Sequence, residues 1–380
     1  MSQKVRVLVV DDSALMRKLI PQALSRDPSI EVVGTAMDGL IGLRKIEELR
    51  PDVVTLDLEM PRMDGMEMLR QITRKQRVPV IVFSAHTEAG ASVTLKALGL
   101  GAFDFVAKPQ DAALGSIEQI ASELALKIKV AASSGAPKMI ISEPAVKRKE
   151  MHSGPAHLRW PSRIVAMGVS TGGPNALEYL FSQLPEDFPG CLLVVQHMPE
   201  GFTGMFARRL DESSAIEVKE AQSGDLLLAG RALICPGNRH MKVRRLEHGD
   251  IVVLDDQPRF NGHRPSVDVL FESVAREFSG RAVAVLMTGM GDDGAAGLGA
   301  VRSAGGLTIA QSLDTCVVES MPRAAIDRGF AMRIVPLHLI ASTLQLICAG
   351  GFTSPTLETV PLTPIASGAG AAESLLRRRS

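Results

Sequence analysis

Five polar residues interrupt the apolar runs of the N-terminal third at points where chemistry can gather. Asp11 and Asp12 follow Val5–Val10, and Asp57 follows Val53–Leu56 within Asp57-Leu58-Glu59-Met60-Pro61. Ser84 follows Val80–Phe83, and Lys108 follows Phe105–Ala107 and precedes Pro109. Read as strands, these runs bring all five residues to the carboxyl edge of one sheet, where open parallel sheets bind ligands. Three carboxylates in one pocket repel one another and need a cation, and their hard oxygens suit Mg²⁺. Asp57 can then attack phosphorus as a carboxylate nucleophile. The metal and the Lys108 ammonium offset charge on the transferring group, and Ser84 can donate to a bound phosphoryl oxygen. A single Asp or Ser after a strand is ordinarily a cap or turn residue, but five such polar residues together, each at a strand end, are not explained as caps.

A second constellation lies beyond residue 160. The apolar run Ile164–Met167 leads into Gly168-Val169-Ser170-Thr171-Gly172-Gly173, with a helix expected from Pro174. This G-x-S-x-G spacing puts a hydroxyl on a tight turn that flanking glycines permit, and the following helix N-terminus offers free N–H groups to an oxyanion. Glycine-rich turns also cradle phosphates, but the G-x-G-x-x-G spacing and the Walker lysine are absent. The base must come from 8 histidines. His152 and His157 fall in a polar stretch, His86 belongs to the first edge, and His240 and His263 lie in loop-like segments suited to substrate contact or surface. His197 closes the apolar run Leu192–Gln196, at the same edge as Ser170. The orienting carboxylate is expected from Thr288-Gly289-Met290-Gly291-Asp292-Asp293-Gly294-Ala295, which follows Ala282–Leu286. One of the two acids faces His197 and the other caps the next helix; spacing does not choose between them. Backbone N–H groups near Met290 can join the oxyanion site. The order Ser…His…Asp differs from the Ser…Asp…His of α/β-hydrolases.

Positioning these groups requires two α/β units. The first ~125 residues alternate strand-like runs with segments of helical spacing such as Leu15–Leu24 and Leu40–Leu49, the signature of a parallel sheet covered on both faces. Residues 131–160 are rich in Ser, Gly, Pro, Ala and Lys, without apolar periodicity, and read as linker. The alternation resumes at Arg163 and continues to about Ala349. The expected division is a first domain at 1–125, a linker at 126–162, a second domain at 163–349, and a poorly ordered tail at 350–380. Lys+Arg and Asp+Glu both total 42, which argues against a dedicated nucleic-acid binder. The 4 Cys are widely spaced and give neither a zinc motif nor a disulfide framework. No stretch reaches the ~20 apolar residues of a membrane span, so no membrane insertion and a cytoplasmic location are expected.

On these motifs, residues 1–125 resemble the receiver domain of two-component response regulators. The matching pieces are Asp11-Asp12, Asp57 with Met60-Pro61 and Asp64-Gly65, Ser84-Ala85, and Lys108-Pro109. The resemblance implies a flavodoxin-like, five-stranded doubly wound fold and phosphorylation of Asp57 by a histidine kinase. It further implies Mg²⁺ held by Asp12, Asp57 and the Glu59 carbonyl with Asp11 in support, and Phe105 at the aromatic switch position beside Ser84 and Lys108. Residues 163–349 resemble the catalytic domain of the CheB family of chemotaxis protein-glutamate methylesterases, a second doubly wound parallel-sheet α/β domain. The resemblance rests on Ser170-Thr171-Gly172-Gly173, Gln196-His197-Met198-Pro199, residues 232–240, His263-Arg264-Pro265-Ser266-Val267-Asp268 and Thr288–Gly294. It implies a triad of Ser170, His197 and Asp293, with Asp292 as the cap and Thr171 and the Met290 backbone at the oxyanion. The implied reaction is hydrolysis of glutamyl γ-methyl esters on methylated chemoreceptors, releasing methanol, with deamidation of receptor glutamines and no cofactor for the hydrolysis. Domain order adds the expectation that the unphosphorylated receiver covers the esterase cleft. Two rivals are a catalytically silent phospho-receiver and a hydrolase of another ester. A DNA-binding output is disfavoured, because no basic recognition helix is evident.

Overall fold

The structure is a computed structural model that describes residues 4–75, 78–84, 87–108, 114–134 and 159–350. Ala85, His86, Pro109, His152, His157, most of the expected linker and the tail from residue 351 lie outside the described residues.

The first unit has five strands: β1 (Val5–Val10), β2 (Ile30–Ala36), β3 (Val53–Asp57), β4 (Val80–Ser84) and β5 (Asp104–Ala107). They pair in the order β2-β1-β3-β4-β5, every pair parallel. β3 and β4 are buried along their whole length, as Val/Ile/Leu runs must be when helices cover both faces. The covering helices are α1 (Ala14–Leu24), α2 (Gly39–Leu49), α3 (Gly65–Lys75), α4 (Glu88–Gly99) and α5 (Leu114–Ser134). Three start on side-chain caps: Ser13, Asp38 and Thr87 each accept from a backbone N–H in the first turn. The strand order reverses beside β1 and β3, so Asp11, Asp12 and Asp57 meet at the switch point.

α5 overruns the expected domain end at residue 125. Leu124, Ala125, Ile128 and Ala131 are buried with β1, β3 and β4 in one core, so packing of the first unit reaches past residue 130. Leu124, Ile128 and Ala131 recur at helical spacing, but the alanine-rich turn after Val130 weakens the apolar signal that marks a buried face.

The second unit is built on a seven-stranded sheet. Its strands are β6 (Ile164–Val169), β7 (Cys191–Gln196), β8 (Glu217–Glu220), β9 (Arg231–Ile234), β12 (Ala282–Leu286), β13 (Leu307–Gln311) and β14 (Arg333–Val335). β10 (His240–Arg244) and β11 (Ile251–Asp255) form a separate antiparallel hairpin. The sheet order is β14-β13-β12-β6-β7-β9-β8, again all parallel. Its helices are α6 (Gly173–Ser182), α7 (Phe202–Ser213), α8 (Val267–Phe278), α9 (Ala295–Ser303), α10 (Ser320–Asp327) and α11 (Leu337–Cys348). β6 is central, with β7 on one side and β12 on the other, so the loops carrying Ser170, His197 and Asp293 leave the sheet from three adjacent strands.

The two units pack directly on each other. The Phe105 ring stacks on Phe202 at 4.9 Å. Asn175 donates to the Leu98 carbonyl at 2.9 Å, and Arg209 donates to the Leu95 carbonyl at 2.8 Å. One buried apolar cluster runs from Leu95 and Phe105 into Phe202 and Phe206.

Candidate active site

Ser170 is held by its backbone at the end of β6. Its N–H donates to the Thr288 carbonyl at 3.0 Å, and its own carbonyl accepts from Gly173 N at 2.8 Å. The turn then needs Gly172, whose φ of +78° lies in the left-handed region. A Cβ at Gly168 would stand 2.2 Å from Val267 Cγ1, so the glycine also lets α8 approach the elbow.

His197 follows β7 and donates its backbone N–H to the Val169 carbonyl at 3.1 Å. Its Nε2 lies 2.8 Å from Asp293 Oδ2, and its Nδ1 is buried without a hydrogen-bond partner. With the Nε2 proton donated to Asp293, the Nδ1 lone pair is the free basic position. Ser170 and His197 line the same cleft, although no hydrogen bond joins their side chains among the described residues.

Asp293 is 1% exposed and fully occupied. Oδ1 accepts from Ser266 Oγ at 2.8 Å and Asp268 N at 3.1 Å, and Oδ2 also accepts from Val267 N at 2.7 Å. These donors open α8, so the carboxylate sits at a helix N-terminus. Burial pushes its pKa up, but the His197 interaction and the α8 donors outweigh it and hold the group below the usual carboxylate range. Asp292 points elsewhere and pairs with Arg328 at 2.7 Å. Its expected capping role is not what the structure displays. α9 begins after Gly294, which has a φ of +94° and makes no side-chain cap bond. Asp268 Oδ1, reaching from α8, accepts from Gly297 N in the first turn of α9 at 2.7 Å. Asp268 is buried beside Asp293, and burial first, then its neighbour's charge, raise it to about 6.

Two further residues shape the site. His263 lies flat on His197, with ring centroids 4.1 Å apart and planes 6° apart. Burial, then the His197 charge, lower His263 to about 4, so it is neutral near pH 7. Gln196, the last residue of β7, donates from Nε2 to the Ser170 carbonyl at 3.0 Å and the His197 carbonyl at 3.1 Å. His240, expected in a surface or substrate-contact loop, is instead 1% exposed in β10, with Nε2 3.1 Å from the Pro258 carbonyl. All four cysteines are free thiols.

The cleft has a volume of about 700 Å³, and the first unit supplies one wall through Asp104, Phe105, Glu123 and Lys127. Thr171 Oγ1 donates to Asp104 Oδ2 at 2.7 Å, so the hydroxyl expected at the oxyanion is held by the other unit. Lys127 Nζ lies 3.3 Å from the same Asp104 oxygen and 3.0 Å from Glu123. Met290 also lines the cleft and packs against the core that contains α5.

At the first sheet's edge, Lys108 Nζ lies 2.6 Å from Asp57 Oδ2 and 3.5 Å from Asp11 Oδ2. Carboxylate oxygens of Asp11, Asp12 and Asp57 lie within 4.8 Å of one another. Asp11 Oδ2 is buried without a hydrogen-bond partner. Burial raises the pKa of Asp57 and Asp11 despite Lys108. Clustered hard carboxylate oxygens fit a divalent cation. Ser84 Oγ lies 2.5 Å from Thr94 Oγ1 and 3.2 Å from the Gly90 carbonyl, while Phe105 is buried against Phe202.

Comparison with known proteins finds relatives of both units. Residues 165–344 match the family described as CheB methylesterase, and residues 7–116 match the response regulator receiver domain. A protein-glutamate methylesterase/protein-glutamine glutaminase 2 of Koribacter versatilis is 61% identical over 347 residues, covering 90% of this chain and 96% of the relative. A protein-glutamate methylesterase/protein-glutamine glutaminase of Symbiobacterium thermophilum is 47% identical over 351 residues, covering 90% of this chain and 96% of its own length. The crystal structure of the Thermotoga maritima CheB methylesterase catalytic domain is 38% identical. It covers 49% of this chain and 98% of its own, with a TM-score of 0.48.

Proposed function

The chain belongs to the CheB methylesterase family with an N-terminal response regulator receiver domain, and from that premise we propose that Ser170, His197 and Asp293 carry its hydrolytic chemistry. The protein is a protein-glutamate methylesterase and protein-glutamine glutaminase of chemotaxis adaptation. Its substrates are methylated chemoreceptors reached from the cytoplasm. Among the described residues, no helix is long and apolar enough to cross a membrane.

One observation carries the catalytic reading: Asp293 engages His197 through Nε2 while the buried Nδ1 has no partner. Asp293 fixes the proton on Nε2, so Nδ1 acts as the base. Nδ1 takes the Ser170 proton, and the oxygen attacks the γ-carbonyl carbon of the glutamyl ester. The oxyanion forms near the Thr171 hydroxyl and the Met290 backbone N–H. As the C–O bond to the methoxy group breaks, His197 returns the proton and methanol leaves. Water, deprotonated by the same nitrogen, then splits the acyl-serine and leaves a glutamate carboxylate. A glutamine side chain follows the same steps with ammonia as leaving group.

In the receiver, Asp57 accepts the phosphoryl group from a histidine kinase. Mg²⁺ would be held by Asp12, Asp57 and the Glu59 carbonyl with Asp11 in support, and it offsets charge on the phosphoryl oxygens. Lys108 neutralises the same group, and Ser84 turns its hydroxyl to it on leaving the Gly90 carbonyl. β5 links this event to the esterase, because it carries Asp104 and Phe105 just ahead of Lys108. The bond from Thr171 to Asp104 and the stack of Phe105 on Phe202 support a closed, low-activity state that phosphorylation opens.

The test is methanol release from methyl-labelled receptor membranes, with and without an acyl phosphate donor. Ser170→Ala abolishes release under both conditions, and Asp57→Asn keeps the basal rate but loses the donor response. Near-normal release by Ser170→Ala contradicts the triad.

A further inference from the structure

We propose that Gln196 is a positioning residue that fixes the distance between nucleophile and base; the inference rests on Ser170 and His197 holding those roles. Three observations converge on it. Gln196 is 2% exposed, at the end of β7. Its Nε2 donates to the carbonyls of both Ser170 and His197, so one amide group binds the main chain of the two residues whose side chains must meet. Its Oε1 is buried with no hydrogen-bond partner and sits against Gly173, where a Cβ would stand 2.0 Å from it.

An unpaired buried acceptor costs stability, so this side chain is poorly explained as core filling; an apolar residue would fill the same space without that cost. What the carboxamide supplies is two donor hydrogens on one atom, directed at two carbonyls. Those carbonyls fix which end of the amide is the amine. Gly173 being glycine is part of the same device, since any side chain there displaces the amide. The brace matters because, among the described residues, the hydrogen bonds that otherwise join β6 and β7 here are ladder bonds that end at Val169 and His197 N. Beyond the ladder, Nε2 is what ties the turn after β6 to the residue after β7. Rate depends steeply on this spacing: a misplacement of about 1 Å can cost about 100-fold.

The experiment uses the full chain with an acyl phosphate donor and compares wild type, Gln196→Met, Gly173→Ala and Ser170→Ala. Three quantities are read: kcat and KM for methanol release, the rate of covalent labelling by a small alkyl phosphonofluoridate, and the thermal melt. Methionine keeps the volume of glutamine but has no N–H. The expected result for Gln196→Met is a kcat lower by about 10–100-fold with KM within about threefold, and a labelling rate lower by the same factor. Gly173→Ala reproduces this pattern with Gln196 still present, and it stands in if Gln196→Met does not fold. Labelling and kcat within about twofold of wild type in folded Gln196→Met overturn the brace, as does activity lost only in proportion to folded protein in both variants. Ser170→Ala separates the two levels. If it still releases methanol, the nucleophile is wrong; if it is inactive while Gln196→Met is normal, only the brace is wrong.

Discussion

Replacing Asp104 with alanine should switch the unphosphorylated enzyme partly on. Asp104 Oδ2 accepts from the Thr171 hydroxyl at 2.7 Å, and both side chains are buried. A hydrogen bond to a charged group in such surroundings is worth about 1.5–3 kcal/mol. Other contacts of the closed form survive the change, including the Phe105–Phe202 stack and the bonds from Asn175 and Arg209 to α4. Lys127 keeps Glu123 at 3.0 Å, so no cation is left without a partner. At about 1.4 kcal/mol per tenfold, the closed-to-open ratio falls by about 10–100-fold. The basal rate of methanol release therefore rises until the phosphorylated rate caps it, and the activation ratio shrinks by the same factor. The assay is initial methanol release with and without donor. A basal rate that stays at the wild-type level, or basal and activated rates that fall together, refutes the idea that Asp104 restrains Thr171.

Two other outcomes follow from the same site. Asp293→Asn keeps the shape but not the proton placement on His197, and kcat should fall by about 10²–10⁴, whereas Asp292→Asn loses an exposed pair with Arg328 and stays within about twofold; equal effects in steady-state kinetics would contradict the assignment. His263 is lowered from 6.5 to about 4 by burial, His197 and Arg259, against Asp293 and Asp292. Between those values the unfolded chain binds more protons, so this residue's contribution makes stability rise with pH. Asp268, raised to about 6, runs the other way in an overlapping window, which is why the comparison must be a difference. In urea unfolding, acidification from about pH 7 to about pH 5 should cost wild type more than His263→Phe; identical losses would show that His263 is not held neutral.

Much of this architecture is legible in the sequence because buried parallel strands announce themselves. Val5–Val10, Val53–Leu56 and Ala282–Leu286 are mostly apolar, and Asp11, Asp57 and the Thr288–Gly294 loop that come after them mark the functional edge. The glycine-flanked Ser170 turn is legible for the same reason, since few residues permit that backbone. Other features are set by partners distant in the chain. Asp292 and Asp293 are identical in type and adjacent. What separates them is the α8 N-terminus, where Ser266, Val267 and Asp268 all donate to Asp293. That end of α8 also provides the α9 cap through Asp268, which no rule of local spacing would name. Asp104 looks like an ordinary acid at a strand start, because its Thr171 partner is 67 residues away in another unit. The buried face of α5 escapes notice because alanine supplies part of it.

The most direct measurement of the central claim is the rate and location of covalent labelling by an alkyl phosphonofluoridate, followed by peptide mass mapping. Label should map to Ser170, appear faster when an acyl phosphate donor is present, and disappear in His197→Ala. Label on a different residue, or labelling of Ser170 at one rate in all three samples, would contradict a His197-activated serine gated by the receiver.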